Sequence, residues 1–91
     1  MADNINVGVN LLKTAAKTVQ ERGETYGSPR ENMARTAALW SVLLKMEISP
    51  TQVAMCMIAV KQARLVETPN HEDSVIDIAG WAAVLRECQE E

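Results

Sequence analysis

Apolar side chains recur along this chain at the three- and four-residue spacing of helices, in four stretches parted by short polar joints. From Val7 to about Glu21, Leu11, Leu12, Ala15, Ala16 and Val19 share one face, while Lys13, Lys17 and Gln20 fall largely outside it. The string Arg22-Gly-Glu-Thr-Tyr-Gly27 has no apolar period and holds Gly23 and Gly27, which predicts a loop there. Ser28, Pro29 and Glu31 then form a capping-box pattern with proline in the first helical position, opening a second helix over 29–46. Met33, Ala34, Ala37, Ala38, Trp40 and Leu44 are its expected inward residues. The device repeats at Ser49, Pro50 and Gln52 for a helix over 50–66, and Pro69 with the cap pair Asn70 and Asp73 opens a fourth over 70–89. Residues 1–6, with Asp3, Asn4 and Asn6, have little to bury and are expected to form a cap or a flexible arm. The expectation is one all-α domain over 1–91, a four-helix bundle with antiparallel neighbours.

The third and fourth helices carry little polar surface. Val53 to Val60 reads Val-Ala-Met-Cys-Met-Ile-Ala-Val and Ile78 to Leu85 reads Ile-Ala-Gly-Trp-Ala-Ala-Val-Leu, so each has a segment apolar on every side. Such a helix has to be covered all round, and two flanking helices cannot cover both. A homo-oligomer follows, most simply a C₂ dimer pairing helices three and four. Gly80, inside the fourth helix, costs about 1 kcal/mol relative to Ala and suggests a close approach of a helix or a ligand.

Size and charge narrow the function classes. At 91 residues, the area scaling gives about 5,200 Å² of folded surface against roughly 14,500 Å² unfolded, enough for one core. The net charge is −3 and the basic residues are scattered, which disfavours a nucleic-acid grip. A helix-turn-helix reading fails as well, because the would-be recognition helix starts Pro50-Thr-Gln-Val-Ala-Met-Cys-Met57, too apolar to read base edges. Neither an 18-residue apolar run nor a leader is read, so a cytoplasmic protein with no membrane partner is expected. Cys56 and Cys88 stand alone within helical patterns, as reduced thiols do.

A few polar residues interrupt the apolar pattern. Asp77 lies between Val75-Ile76 and Ile78-Ala79, and Lys61 and Arg64 close the apolar run of the third helix. One reading is a structural bridge from Lys61 or Arg64 to Asp77. The other is an acidic edge of Glu72, Asp73 and Asp77, with Asp73 and Asp77 on one helical face, that would hold Mg²⁺ beside substrate phosphates. His71 has no ligand partner at metal spacing and is a surface residue or a phosphate contact. The segment Arg22 to Glu31 combines Arg22, Arg30, Tyr26, two glycines and the amide-rich start of the second helix. These suit a nucleotide, or alternatively a well-capped turn in which Glu31 only completes the cap. No P-loop, dinucleotide fingerprint, HExxH or Ser/His/Asp set is present.

The string Arg22-Gly-Glu-Thr-Tyr-Gly-Ser-Pro-Arg-Glu-Asn32, then Ala38-Leu-Trp40, Lys61-Gln-Ala-Arg-Leu65 and His71-Glu-Asp-Ser-Val-Ile-Asp-Ile-Ala-Gly-Trp81, resembles a family of small phage and prophage proteins of unassigned function. The resemblance spans roughly residues 14–88, with Trp81 where that family's pattern has Tyr. The family is in turn similar to the all-α nucleotide pyrophosphohydrolases of the MazG and dimeric dUTPase kind, which cleave nucleoside triphosphates with Mg²⁺. The resemblance implies a helical oligomer in which a Glu-x-x-Glu helix faces a Glu-x-x-Asp helix. Glu72, Asp73 and Asp77 stand for the second element, whereas Lys61 and Arg64 occupy the place of the first. Glu24, Glu31 or a neighbouring subunit are the other sources of carboxylates.

Two functions follow as expectations. In the first, a nucleotide is bound, with or without turnover, by Tyr26, Arg30, Glu31, Lys61, Arg64 and His71, and metal by Glu72, Asp73 and Asp77. In the second, a ligand-free helical oligomer binds or inhibits a host protein.

Overall fold

The computed structural model describes residues 6–90, and their regular elements are four α-helices: α1 (Val7–Tyr26), α2 (Pro29–Leu44), α3 (Pro50–Glu67) and α4 (Glu72–Gln89). The expected arm falls almost wholly on residues outside that range. Within it, Asn6 caps α1 through its carbonyl, which accepts from the Asn10 amide at 2.8 Å.

α1 corrects the sequence reading by continuing through Gly23 to Tyr26. One glycine in a helix costs about 1 kcal/mol relative to Ala, too little to stop a ladder whose amides still find acceptors. Thr25 Oγ1 donates to the Glu21 carbonyl at 3.4 Å, and the Gly27 amide donates to the Gly23 carbonyl at 2.9 Å. The helix ends instead at Gly27, whose φ of 85° only glycine adopts readily. The expected loop from Arg22 to Gly27 is thereby reduced to the Gly27-Ser28 joint.

The two Ser-Pro starts behave differently. At α3 both halves of the box close: the Gln52 amide donates to Ser49 Oγ at 3.2 Å, and the Ser49 amide donates to Gln52 Oε1 at 2.8 Å. At α2 only the Glu31 amide reaches Ser28 Oγ, at 3.5 Å. α2 stops at Leu44 rather than Met46 because Lys45 turns left-handed, with φ 56° and ψ 41°. Ser41 then ties the joint, its hydroxyl donating to the Ala37 carbonyl at 2.7 Å and accepting from the Ile48 amide at 2.9 Å. A left-handed non-glycine residue costs about 1–2 kcal/mol. Lys45→Gly should therefore raise stability by about 1 kcal/mol in urea unfolding, and a loss would show that the lysine side chain holds the joint.

α4 begins at Glu72, two residues later than expected, because the Pro69-Asn70 turn is closed by the His71 amide donating to the Thr68 carbonyl at 3.1 Å. His71, not Asn70, is the residue at the cap. Its Nδ1 lies 2.7 Å from Ser74 Oγ, which satisfies the one polar side chain in the buried set. Glu72 and Asp73 occupy the first turn, where the helix dipole favours negative charge.

α3 and α4 form the central pair; α1 packs on α4, α2 packs on α3 and more lightly on α4, and α1 and α2 barely meet. The core is small: Met33, Ala37 and Val53 are buried, with Trp40, Ile48, Trp81, Val84 and Cys88 packed around them. Ala15 and Ala54 are also buried. Of the expected inward residues of α2, Ala34, Ala38 and Leu44 point outward instead, because α2 meets the central pair along a single narrow face. The same narrowness leaves Leu12 and Ala16 of α1 exposed. No helix among the described residues is long and apolar enough to cross a membrane.

Candidate functional site

α1 and α2 barely meet above the central pair, and a cleft is lined by both of them with α3 and α4 as its floor. Its volume is about 480 Å³, within the roughly 300–1,000 Å³ of small-molecule sites. From α1 it takes Thr18, Val19, Arg22, Gly23 and Tyr26, one side of the helix read over successive turns. α2 adds Asn32 and Met33 from its first turns, and the floor carries Lys61, Asp77, Gly80 and Trp81.

The charged part of the floor is an ion pair, with Lys61 Nζ 3.0 Å from Asp77 Oδ2. The Lys61 side chain is 15% exposed and that of Asp77 29%, so the pair is largely sheltered yet reachable from the cleft. An ammonium group held in place by a carboxylate offers its remaining protons to an incoming anion. Arg22 on the wall supplies a second cation, Tyr26 and Trp81 supply aromatic faces, and Thr18 and Asn32 supply neutral donors and acceptors. Together they can hold a flat heterocycle bearing negative charge.

Sequence reasoning drew Lys61, Asp77 and Tyr26 from two separate stretches into one nucleotide-binding expectation, and these three line one cleft together with Arg22. Of the two readings of Asp77, the bridge to Lys61 is the contact formed. Arg64 is exposed in the last turn of α3 and is not in the ion pair with Asp77. Arg30 and Glu31 line a separate shallow hollow with Ser28, Ala34, Pro50 and Cys88. Burial pushes the Cys88 thiol up, with the Arg30 guanidinium acting the other way and Glu87 reinforcing the rise, so this sulfur is not an activated nucleophile. His71 is engaged with Ser74, and Glu72 and Asp73 are exposed at the start of α4. Among the described residues, no three His, Cys, Asp or Glu side chains gather where a metal ion could be held. One carboxylate already committed to an ammonium group is not by itself a seat for Mg²⁺.

Trp81, Asn32 and Thr18 were not singled out as site residues by the pattern. A signal for Trp81 was present, since it follows Asp77 by four positions and so shares its helical face. For Thr18 no signal existed while the first helix was read as ending before Tyr26.

A family model described as a domain of unknown function, DUF6378, matches residues 10–89, which takes in every residue of the cleft. The chain belongs to the DUF6378 family. Two proteins of similar sequence are phage proteins. The Gene 55 protein of Mycobacterium phage L5 is 40% identical over 83 residues, covering 89% of this chain and 53% of that protein. The Gene 55 protein of Mycobacterium phage D29 is 41% identical over 83 residues, covering 90% and 55%. The DUF6378 chain thus spans about half the length of the curated relatives it matches. No solved structure matches it.

Proposed function

We propose that this DUF6378 protein binds a nucleotide in the α1–α2 cleft, as a cytoplasmic phage or prophage protein of the host cell that sequesters the ligand rather than turning it over. The observation that carries this reading is the convergence of Lys61–Asp77, Arg22, Tyr26 and Trp81 on one cleft of ligand size. The base stacks on the aromatic side chains, and the phosphates meet Lys61 and Arg22. The likeness of the sequence motifs to MazG-type and dimeric dUTPase-type enzymes supports nucleotides as the ligand class. Binding is favoured over pyrophosphate release because the α3 side of the site offers a lysine where hydrolysis needs paired carboxylates. Magnesium belongs to this reading only as a companion of the nucleotide's phosphates, with Asp77 as the carboxylate of the cleft and no step routed through it.

Thermal shift against ribonucleotides, deoxynucleotides and cyclic dinucleotides, each with and without Mg²⁺, tests the proposal. A ligand at 100 times its dissociation constant stabilises by about 2.7 kcal/mol, a shift of about 11–22 °C in a domain of this size. Lys61→Ala should abolish that shift while the free protein still unfolds cooperatively, since Asp77 retains contact with solvent. A flat screen of well-folded protein would overturn the proposal.

A second reading has its own observation. Val42 and Leu43 on α2 and Val66 on α3 are among the most exposed large apolar side chains of the described residues. A self-associating chain covers such a surface, as does one that docks on a host protein; the two are separated by the assembly test argued below.

A further inference from the structure

Two glycines of the cleft have no structural reason to be glycine. Gly23 and Gly80 both lie inside helices, where glycine is the least favoured residue after proline. A Cβ built on Gly23 meets nothing within 4 Å, and one built on Gly80 first meets Val19 Cγ2 at 3.4 Å, an ordinary contact. Neither residue needs a left-handed conformation, unlike Gly27, whose φ is 85°. Alanine would therefore fit at both positions and strengthen both helices. What the two share is the cleft: Gly23 opens onto it from α1, one turn before Tyr26, and Gly80 from α4, beside Trp81.

We infer that Gly23 and Gly80 are specificity-determining positions, kept bare so that the planar heterocycle of the ligand can lie against the helix backbone between Tyr26 and Trp81. The inference rests on the proposed nucleotide reading and deepens it. A base or similar flat ring is thin enough to enter a slot walled by backbone on one side and an aromatic face on the other. A methyl group on either wall narrows that slot. A sugar phosphate without a base gains nothing from bare walls, since Lys61 and Arg22 hold its charge. The ligand class implied is one recognised mainly by its ring, so free nucleoside should retain a measurable part of the binding.

The test is a pair of single variants, Gly23→Ala and Gly80→Ala, read by melting temperature and by calorimetric titration with the nucleotide that gives the largest shift in the wild-type screen. The expected result is opposed signs. Each variant melts about 4–8 °C higher, as an added helix-favouring residue does in a domain this small. Each also binds that nucleotide at least tenfold more weakly, while inorganic pyrophosphate binds as it does to wild type. Variants that melt higher and bind the nucleotide with wild-type affinity would overturn the inference and leave the nucleotide reading standing. Variants that melt lower would overturn it too, because the glycines would then be explained by packing. A wild-type protein that binds no nucleotide fails the underlying reading first, which is a different outcome. Loss of self-association in place of ligand binding would assign the bare walls to a second copy of the chain and overturn the ligand role.

Discussion

Replacing Met33 with alanine should lower the unfolding free energy by about 2–5 kcal/mol, the range for truncating a fully buried large side chain. Met33 is 4% exposed and, with Ala37 and Val53, forms the buried cluster against which Trp40, Trp81 and Val84 pack. A domain of this length has roughly 5–14 kcal/mol of total stability, so losing the lower figure is serious and losing the upper one unfolds a domain at the bottom of that range. Met55→Ala is the matched control. Its side chain is 57% exposed, and the same truncation there should change stability by less than about 0.5 kcal/mol. Urea unfolding followed by circular dichroism gives both values. If the two variants are equally mild, the cluster at Met33 is not what holds the helices together.

Met33 also lines the cleft, so core and site share a side chain. The sharing explains why the fold and the site were not equally legible. Helix starts could be read from short-range chemistry, and the Ser49-Pro50-Gln52 box closes as its spacing demands. Helix ends were harder. Gly23 was read as a stop because glycine is a poor helix former, but a local penalty of about 1 kcal/mol loses to a continuing hydrogen-bond ladder. Extending α1 to Tyr26 then changes the site, because it aligns Thr18, Arg22 and Tyr26 along one wall. The Lys61–Asp77 contact was legible as one of two alternatives, since a charge amid apolar neighbours asks for a partner. Which helices line a cleft was not legible, for that depends on how α1 and α2 pack over a shared floor. The outward turn of Ala34, Ala38 and Leu44 has the same origin: a pattern of small apolar residues all round α2 does not say which stripe will be used.

That outward surface carries the remaining prediction, which concerns assembly. Leu39, Val42 and Leu43 follow the i, i+3, i+4 spacing of one helical face, Met46 is exposed in the joint just after α2, and Val42 and Leu43 are 76% and 75% exposed. Recovering about 1–2 kcal/mol for each of these four side chains, on both copies of a symmetric pair, gives about 8–16 kcal/mol. That is of the size of the roughly 4–15 kcal/mol that association costs in lost freedom, so the face is sufficient for self-association only when neighbouring apolar groups join it. Met55 and Val66 are further exposed apolar side chains, on α3. The proposed homo-oligomer thus uses α2 and α3 more than the α3–α4 pairing expected from the sequence, where α4 has only Ala82, Ala83 and Val75 outward. The double variant Val42→Glu, Leu43→Glu should convert the assembly to a monomer of 10.0 kDa, with a loss of at least 100-fold in association. Helical content should not change, because both positions already face water and helices accept glutamate readily. Sedimentation velocity at tens of micromolar reads the result directly. Wild-type protein that sediments as a monomer at that concentration would rule out self-association as the cover for this face. The exposed side chains of α2 would then fall to the second reading, a docking surface for a host protein.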